Sequence, residues 1–286
     1  MSNKLVNLRV DFAFKQLFGV KGNEELLTSF LNAILHESLS SPIQTLQIED
    51  PHLHQEYEND KLSILATLDN GTKVNIEIQV RNTQDMVKRS LYYWSKLYTS
   101  QIEKGMPYRS LRKTIAINLL DFRLFPQFED IQTTGQLWSR QQQQVLLDDL
   151  EIHFIEIPKL LQQWREEKIN PWENAFARWL LLLPAHADEH LTHTLEEIAM
   201  NQDPMLQKAM NKWEDMSQNS SFRLQYEARE KVLFDEQAKL AHAREEGKLA
   251  ERAQLIHGMH KNGMPVEDIA KFTGLRVEDI QKLLQP

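Results

Sequence analysis

The stretch "KLSILATLDNGTKVNIEIQV", Lys61 to Val80, decides the fold. Two runs rich in apolar and β-branched residues flank Asn70-Gly71, the pattern of a β-hairpin. In "VNIEIQV" the alternation is unbroken. Val74, Ile76, Ile78 and Val80 share one face of a strand, and Asn75, Glu77 and Gln79 share the other. A two-residue turn at Asn70-Gly71 pairs residue 69 with 72 and so sets 66 opposite 75. Position 66 then lies on the face of Glu77, diagonally across at roughly 7–8 Å. Side chains at two such positions could grip one divalent ion. A three-residue turn reverses the parity and removes the argument.

Outward from the hairpin, Asp11 reads as the N-cap of a short helix "FAFKQLFG" stopped by Gly19, and Asn23 as the cap of a second. In that second helix Leu26, Leu27, Phe30, Leu31, Ile34 and Leu35 recur at helical spacing. "LQIED" (Leu46–Asp50) is a short strand. After the hairpin, Val87, Leu91, Trp94, Tyr98 and Ile102 fall three or four apart, predicting an amphipathic helix that ends by Gly105. "KTIAINLLDF" (Lys113–Phe122) and "EIHFIEIP" (Glu151–Pro158) read as strands, and nearly everything beyond Pro158 as helix. The expected fold is α/β: a mixed sheet flanked by helices, with a helical C-terminal extension.

At 286 residues the chain suits one large domain plus an appendage. Polar "EDMSQNSS" (Glu214–Ser221) places the boundary at 215/216, giving domains 1–215 and 216–286. The end repeats V-E-D-I-A-K (Val266) and V-E-D-I-Q-K (Val277) around Thr273-Gly274, the build of a helix-turn-helix. Its second helix carries Glu278 and Asp279 beside Arg276 and Lys282, which is poor for phosphates. Packing or dimerisation through Ile269, Phe272, Leu275, Val277, Ile280 and Leu283 is therefore preferred, with a homo-oligomer seam along the C-terminal helices.

A net charge of −8 recommends no global attraction to nucleic acid, although a local basic stripe can still serve. The absence of cysteine excludes disulfides and thiolate metal sites, and suits a reducing compartment. The N-terminus lacks the apolar core of a signal peptide. The longest apolar run, "WLLLL" (Trp179–Leu183), is too short to span a bilayer. The expected location is the cytoplasm. His186, His190 and His193 sit at i, i+4 and i+7, a spacing that zinc can use, but without an accompanying H-E-x-x-H pattern it carries little weight. "HGMH" (His257, His260) carries less.

An ordered set of segments resembles the Rpn group of PD-(D/E)XK nucleases, described as recombination-promoting nucleases or transposases. They are "DFAFKQLFG" with "LLTSFLNAIL", "KLSIL" leading into "NIEIQ", "RSLYYWSKLYTSQIEKGMPYRSL" from Arg89, and "TIAINLLDF". The resemblance runs in order over roughly residues 8 to 160. It implies a restriction-endonuclease-like core and Mg²⁺- or Mn²⁺-dependent hydrolysis of DNA, linked to recombination or to defence against foreign DNA. In that superfamily an acid from each hairpin strand holds the metal. Carried over, Glu77 is a metal ligand, the Ile78 backbone carbonyl assists, and Gln79 stands where many relatives carry lysine. Gln79 could orient water but supplies no positive charge.

The first metal position departs from the pattern: relatives read S-I-L-D where this chain reads S-I-L-A, ending in Ala66. The resemblance therefore implies weak Mg²⁺ binding and no cleavage. The alanine is either a natural loss or a deliberate Asp→Ala change, and the otherwise intact motif favours the second. The alternative is a DNA-binding or interaction protein that keeps the fold without catalysis. Arg89 and Tyr93, at i and i+4, with Lys96 beside them, would face phosphates; the competing account is a solvated stripe. Asp11 and Lys15 lie on the first helix, where the superfamily often places an accessory acid.

Overall fold

The computed structural model describes residues 5–49 and 64–284. Lys61–Ser63 of the decisive stretch and Asp50 of "LQIED" lie outside the described residues. The chain divides into two compact units, 1–229 and 230–286. The expected boundary at 215/216 falls near the end of a helix in the first unit.

The first unit is built on a six-stranded mixed sheet. Its strands are β1 (Leu46–Glu49), β2 (Ile64–Leu68), β3 (Lys73–Gln79), β4 (Thr114–Leu120), β5 (Gln132–Ser139) and β6 (Gln144–Glu156), in the order β1-β2-β3-β4-β6-β5. Strands β3, β4 and β6 are parallel neighbours, and the outer pairs are antiparallel. Every residue of β4 is buried, as a central parallel strand covered on both faces must be.

Helix α1 (Asp11–Phe18) and helix α2 (Glu24–Ile34) lie early in the chain. The six apolar residues expected on α2's inner face are all buried. Gly19 ends α1 against β2: a Cβ there would meet Ile64 Cγ1 at 2.7 Å, so only glycine permits the approach. Asp11 is not the cap of α1, and Asn23 holds the N-cap position of α2 without a side-chain capping bond. Asp11 sits inside the first turn of α1, its Oδ1 accepting from the Phe12 N–H at 2.7 Å. The Asn23 side chain turns back instead, donating to the Leu17 carbonyl at 2.7 Å and so closing the end of α1.

The hairpin is the main correction. Its register pairs Leu65 with Asn75 and Ala66 with Val74, so the turn contains three residues, not two. Leu68 N–H donates to Thr72 O and Gly71 N–H to Leu68 O, each at 2.9 Å, with Gly71 at φ +85. Asp69 is withheld from the ladder by β1's leading edge: its N–H donates to Thr45 O, and its carboxylate accepts from Gln44 N–H, both at 3.1 Å. Directly paired residues share a face. Ala66 therefore sides with Val74, Ile76 and Ile78, opposite to Glu77.

Helix α3 (Met86–Thr99) crosses the Glu77 face of the sheet. It buries Met86, Ser90, Trp94 and Leu97, while Val87 and Leu91 of the expected stripe stand exposed. The helix is rotated from the hydropathy reading because Ser90 belongs inside, donating to Asn118 Oδ1 at 2.9 Å. Trp94 Nε1 fixes the other end by donating to Thr114 O at 2.7 Å. Strand β5, a polar edge strand, gave no alternation to read. Strand β6 begins seven residues before the expected Glu151, in a stretch that pairs only with β5 and stays largely exposed.

Beyond β6 the chain is helical, as expected: α4 (Ile157–Arg165), α5 (Ala175–Leu181), α6 (Glu189–Asn201), α7 (Pro204–Gln218) and α8 (Ser220–Lys261). Trp213 on α7 is buried, and its Nε1 donates to Val6 O at 2.9 Å, tying α7 to the N-terminal segment. The start of α8 also belongs to this unit: Phe222 stacks on Phe12 with centroids 5.2 Å apart.

In the second unit, α9 (Val266–Thr273) and α10 (Val277–Leu283) are separated by Gly274 at φ +68. Ile256, Ile269 and Ile280 form its core, with Leu275 packed against it, whereas Phe272 points outward. No helix among the described residues is long and apolar enough to cross a membrane.

Candidate active site

Glu77 is not the surface acid that an alternating strand suggests; it is 5% exposed, beneath α3. Asn75 Nδ2 donates to its Oε1 at 3.2 Å and Gln79 Nε2 to its Oε2 at 3.4 Å, so the polar side of β3 holds one carboxylate between two amides. Arg89 Nη2 on α3 lies 3.9 Å from Oε2. That placement is a product of the fold, since α3 must lie across β3 for an arginine on it to reach a strand carboxylate. The Arg89 guanidinium rests 5.4 Å from the centre of the Tyr93 ring. Tyr93 meets Tyr92 edge-on at 5.4 Å, and Lys96 Nζ stands 5.7 Å over the Tyr92 ring. Glu77, Gln79, Arg89, Tyr93 and Lys96 thus form one connected line from the sheet to the outer surface of α3.

Ala66 is not part of it. It is fully buried on the other face, beside Ile48 and Val74, its register partners on either side. An aspartate there would enter the apolar core, so Ala66 and Glu77 cannot share an ion. Ile78 also directs its side chain to that face, with its backbone in the ladder opposite Leu119. Asp11 and Lys15 lie on α1. The link from this helix's N-terminal flank to the site end of the sheet is made by Arg9, whose Nη1 meets Asp121 Oδ1 at 2.8 Å. Asp121 N–H in turn donates to Gln79 O at 2.9 Å. Burial pushes the Asp121 carboxyl up from its ordinary range, and Arg9 opposes the shift.

Several participants were invisible in the sequence. Asn75 and Asn118 look like ordinary polar strand positions, and Ser90 like a polar helix residue. A second cluster shares the Glu77 face: Lys73 Nζ lies 2.5 Å from Glu49 Oε1, which also accepts from the Thr67 hydroxyl. Lys73's place two residues before Asn75 was the available signal.

The histidine spacing does not survive folding. His186 sits in a 3-10 turn (Ala185–Ala187) that ends before α6 begins at Glu189. His193 Nδ1 lies 3.2 Å from Glu196 Oε2. No group of three His, Cys, Asp or Glu side chains suited to a metal occurs among the described residues. In the C-terminal pair of helices, Lys271 and Arg276 lie within 2.9 Å and 3.0 Å of Asp268 and Asp279. Such paired cations are poorly placed to capture phosphates.

A mixed sheet with a parallel centre, an antiparallel leading hairpin and a Glu-x-Gln strand beneath a crossing helix defines a restriction-endonuclease-like nuclease fold. The chain belongs to the PD-(D/E)XK nuclease family transposases, whose family model matches residues 8–243. No curated protein and no solved structure matches the chain. Nucleases of this superfamily generally use divalent metals.

Proposed function

We propose that this chain is a metal-dependent DNA endonuclease centred on Glu77, acting in recombination or in defence against foreign DNA. One observation carries the reading: a buried carboxylate on the E-x-Q strand with an arginine 3.9 Å away. A carboxylate is seldom buried unless paired, so its position implies use or a partner.

The donor set suits Mg²⁺ or Mn²⁺ only loosely. Mg²⁺ keeps several waters and takes one or two carboxylates plus substrate phosphate, and Glu77 with flanking amide oxygens meets that minimum. The cation, when bound, lowers the pKa of a water and offsets charge on the phosphate. Glu77 would hold it, Gln79 would orient water by hydrogen bonding alone, and Arg89 would exchange the carboxylate for a DNA phosphate through its guanidinium fork. Ala66 has no part.

That no group of three His, Cys, Asp or Glu suited to a metal occurs among the described residues also favours the second reading, a DNA-binding protein that keeps the fold without cutting. Supercoiled plasmid with Mg²⁺ or Mn²⁺ decides between them. Nicking abolished by EDTA and by Glu77→Ala supports the endonuclease. Supercoiled plasmid and single-stranded circular DNA that are both retarded on a gel but never cut, with either ion, establish the second reading. The same proposal places the protein in the cytoplasm, in keeping with its lack of cysteine. It also assigns homo-oligomerisation to the C-terminal helices, where α8 leaves Leu240, Leu249 and Leu255 exposed.

A further inference from the structure

The outer face of α3 contrasts with the rest of an acidic chain. Residues 86–113 carry seven Lys and Arg against one acid, Glu103, in a protein of net charge −8. Helix α3 itself has no acidic residue. Among these cations stand large exposed aromatics: Tyr92 is 56% exposed, and Tyr108, in the 3-10 turn after the helix, 84%. Gln101 ties that turn's C-terminal flank back to the end of α3, donating to Arg112 O at 3.2 Å and accepting from Arg112 N–H at 3.0 Å.

We propose that the Tyr92 face of α3 is a stacking platform for unpaired bases, so that the substrate is single-stranded DNA or a single-stranded flap. This rests on the nuclease reading of the same site. A duplex hides its base faces within the stack and offers an exposed ring only backbone and groove edges. An unpaired base offers a π-face, and every base has one. Tyr92 is 56% exposed, Tyr93 meets its ring edge-on, Lys96 Nζ stands over one ring face as a cation for the neighbouring phosphate, and exposed Leu91 extends the apolar surface. Through Tyr93 and Arg89 the platform is continuous with Glu77. A strand stacked on Tyr92 therefore has its neighbouring phosphates led toward the buried carboxylate.

The test is fluorescence anisotropy on the full chain in EDTA, with a labelled strand of about 16 nucleotides and the duplex of the same sequence. The expected result is tighter binding of the single strand. Tyr92→Ala should weaken it by about 5- to 100-fold while changing duplex binding by less than about twofold, and Tyr92→Phe should keep the preference. Lys96→Gln should lower the salt dependence for the single strand. Equal affinity for both DNAs, or a Tyr92→Ala variant that binds as the parent does, overturns the platform. So does a fall in solution mass on Tyr92→Ala without DNA, which would assign the face to a second copy. Plasmid nicking judges Glu77 separately: the platform can fail while nicking persists, and nicking can fail while the strand preference stands.

Discussion

Replacing Ala66 with aspartate tests the hairpin register directly. With a two-residue turn the new carboxylate would meet Glu77 and build a metal site. With the observed three-residue turn it enters a fully buried position between Ile48 and Val74. The cheapest way to hold it there is protonated. Neutralising a carboxyl of ordinary pKa about 4 at pH 7 costs about 4 kcal/mol, since each pH unit above that pKa adds about 1.4 kcal/mol. Burying the neutral group without a hydrogen-bond partner and overfilling an alanine site add about 1–3 kcal/mol each. The sum, about 6–10 kcal/mol, is comparable to the whole stability of a typical domain. The sign follows from a carboxyl whose folded pKa is raised: the penalty is large above the unfolded pKa and shrinks as pH falls toward it. Urea unfolding at about pH 5 and pH 7 should show the loss smaller by about 3 kcal/mol at the lower pH. An Ala66→Asp protein as stable as its parent at pH 7, with gained Mg²⁺-dependent nicking, would refute the register argument.

Two further predictions concern stability. Glu151 and His153 are buried on the sheet face opposite Glu77, with His153 Nε2 2.7 Å from Glu151 Oε1 and Lys113 Nζ 2.8 Å from Oε2. Burial opposes ionisation of Glu151, but the His153 hydrogen bond and the adjacent Lys113 ammonium outweigh it and hold the carboxyl at about 2. A lowered pKa gives stability that is complete above the usual value near 4.5 and lost as pH falls toward 2. The contribution is on the order of 3 kcal/mol, and Glu151→Gln should remove that part of the acid dependence when urea curves at about pH 6, 4 and 3 are compared with the parent's. Trp213→Ala should cost about 3–5 kcal/mol and lower the melting temperature by about 10 °C, because it empties a core site and frees the Val6 carbonyl.

The segments with strong, one-sided periodicity were legible without coordinates. Helix α2 buries the apolar residues its spacing names, and β4 forms from the apolar run that suggested it. Local chemistry was enough there because burial and sequence period coincide. Where a polar residue has a buried task, the period misleads. Ser90 belongs to the inner stripe of α3 because its hydroxyl donates a hydrogen bond to Asn118, and hydropathy alone turned that helix toward Val87 and Leu91. Strand β5 was missed because an edge strand with a polar sequence need not alternate.

For the candidate site, sequence alone determined that an acid and its E-x-Q neighbours share one face of a strand, because side chains on a strand alternate whatever surrounds it. It could not determine what lies opposite them. That depended on one residue in a turn, which β1 settles by bonding Asp69. It depended also on the rotation of α3, which the sheet settles by anchoring Ser90 and Trp94. Both are contacts between segments distant along the chain, and a local pattern carries no record of them. Only the tertiary structure could send Ala66 to the core and bring Arg89 to Glu77.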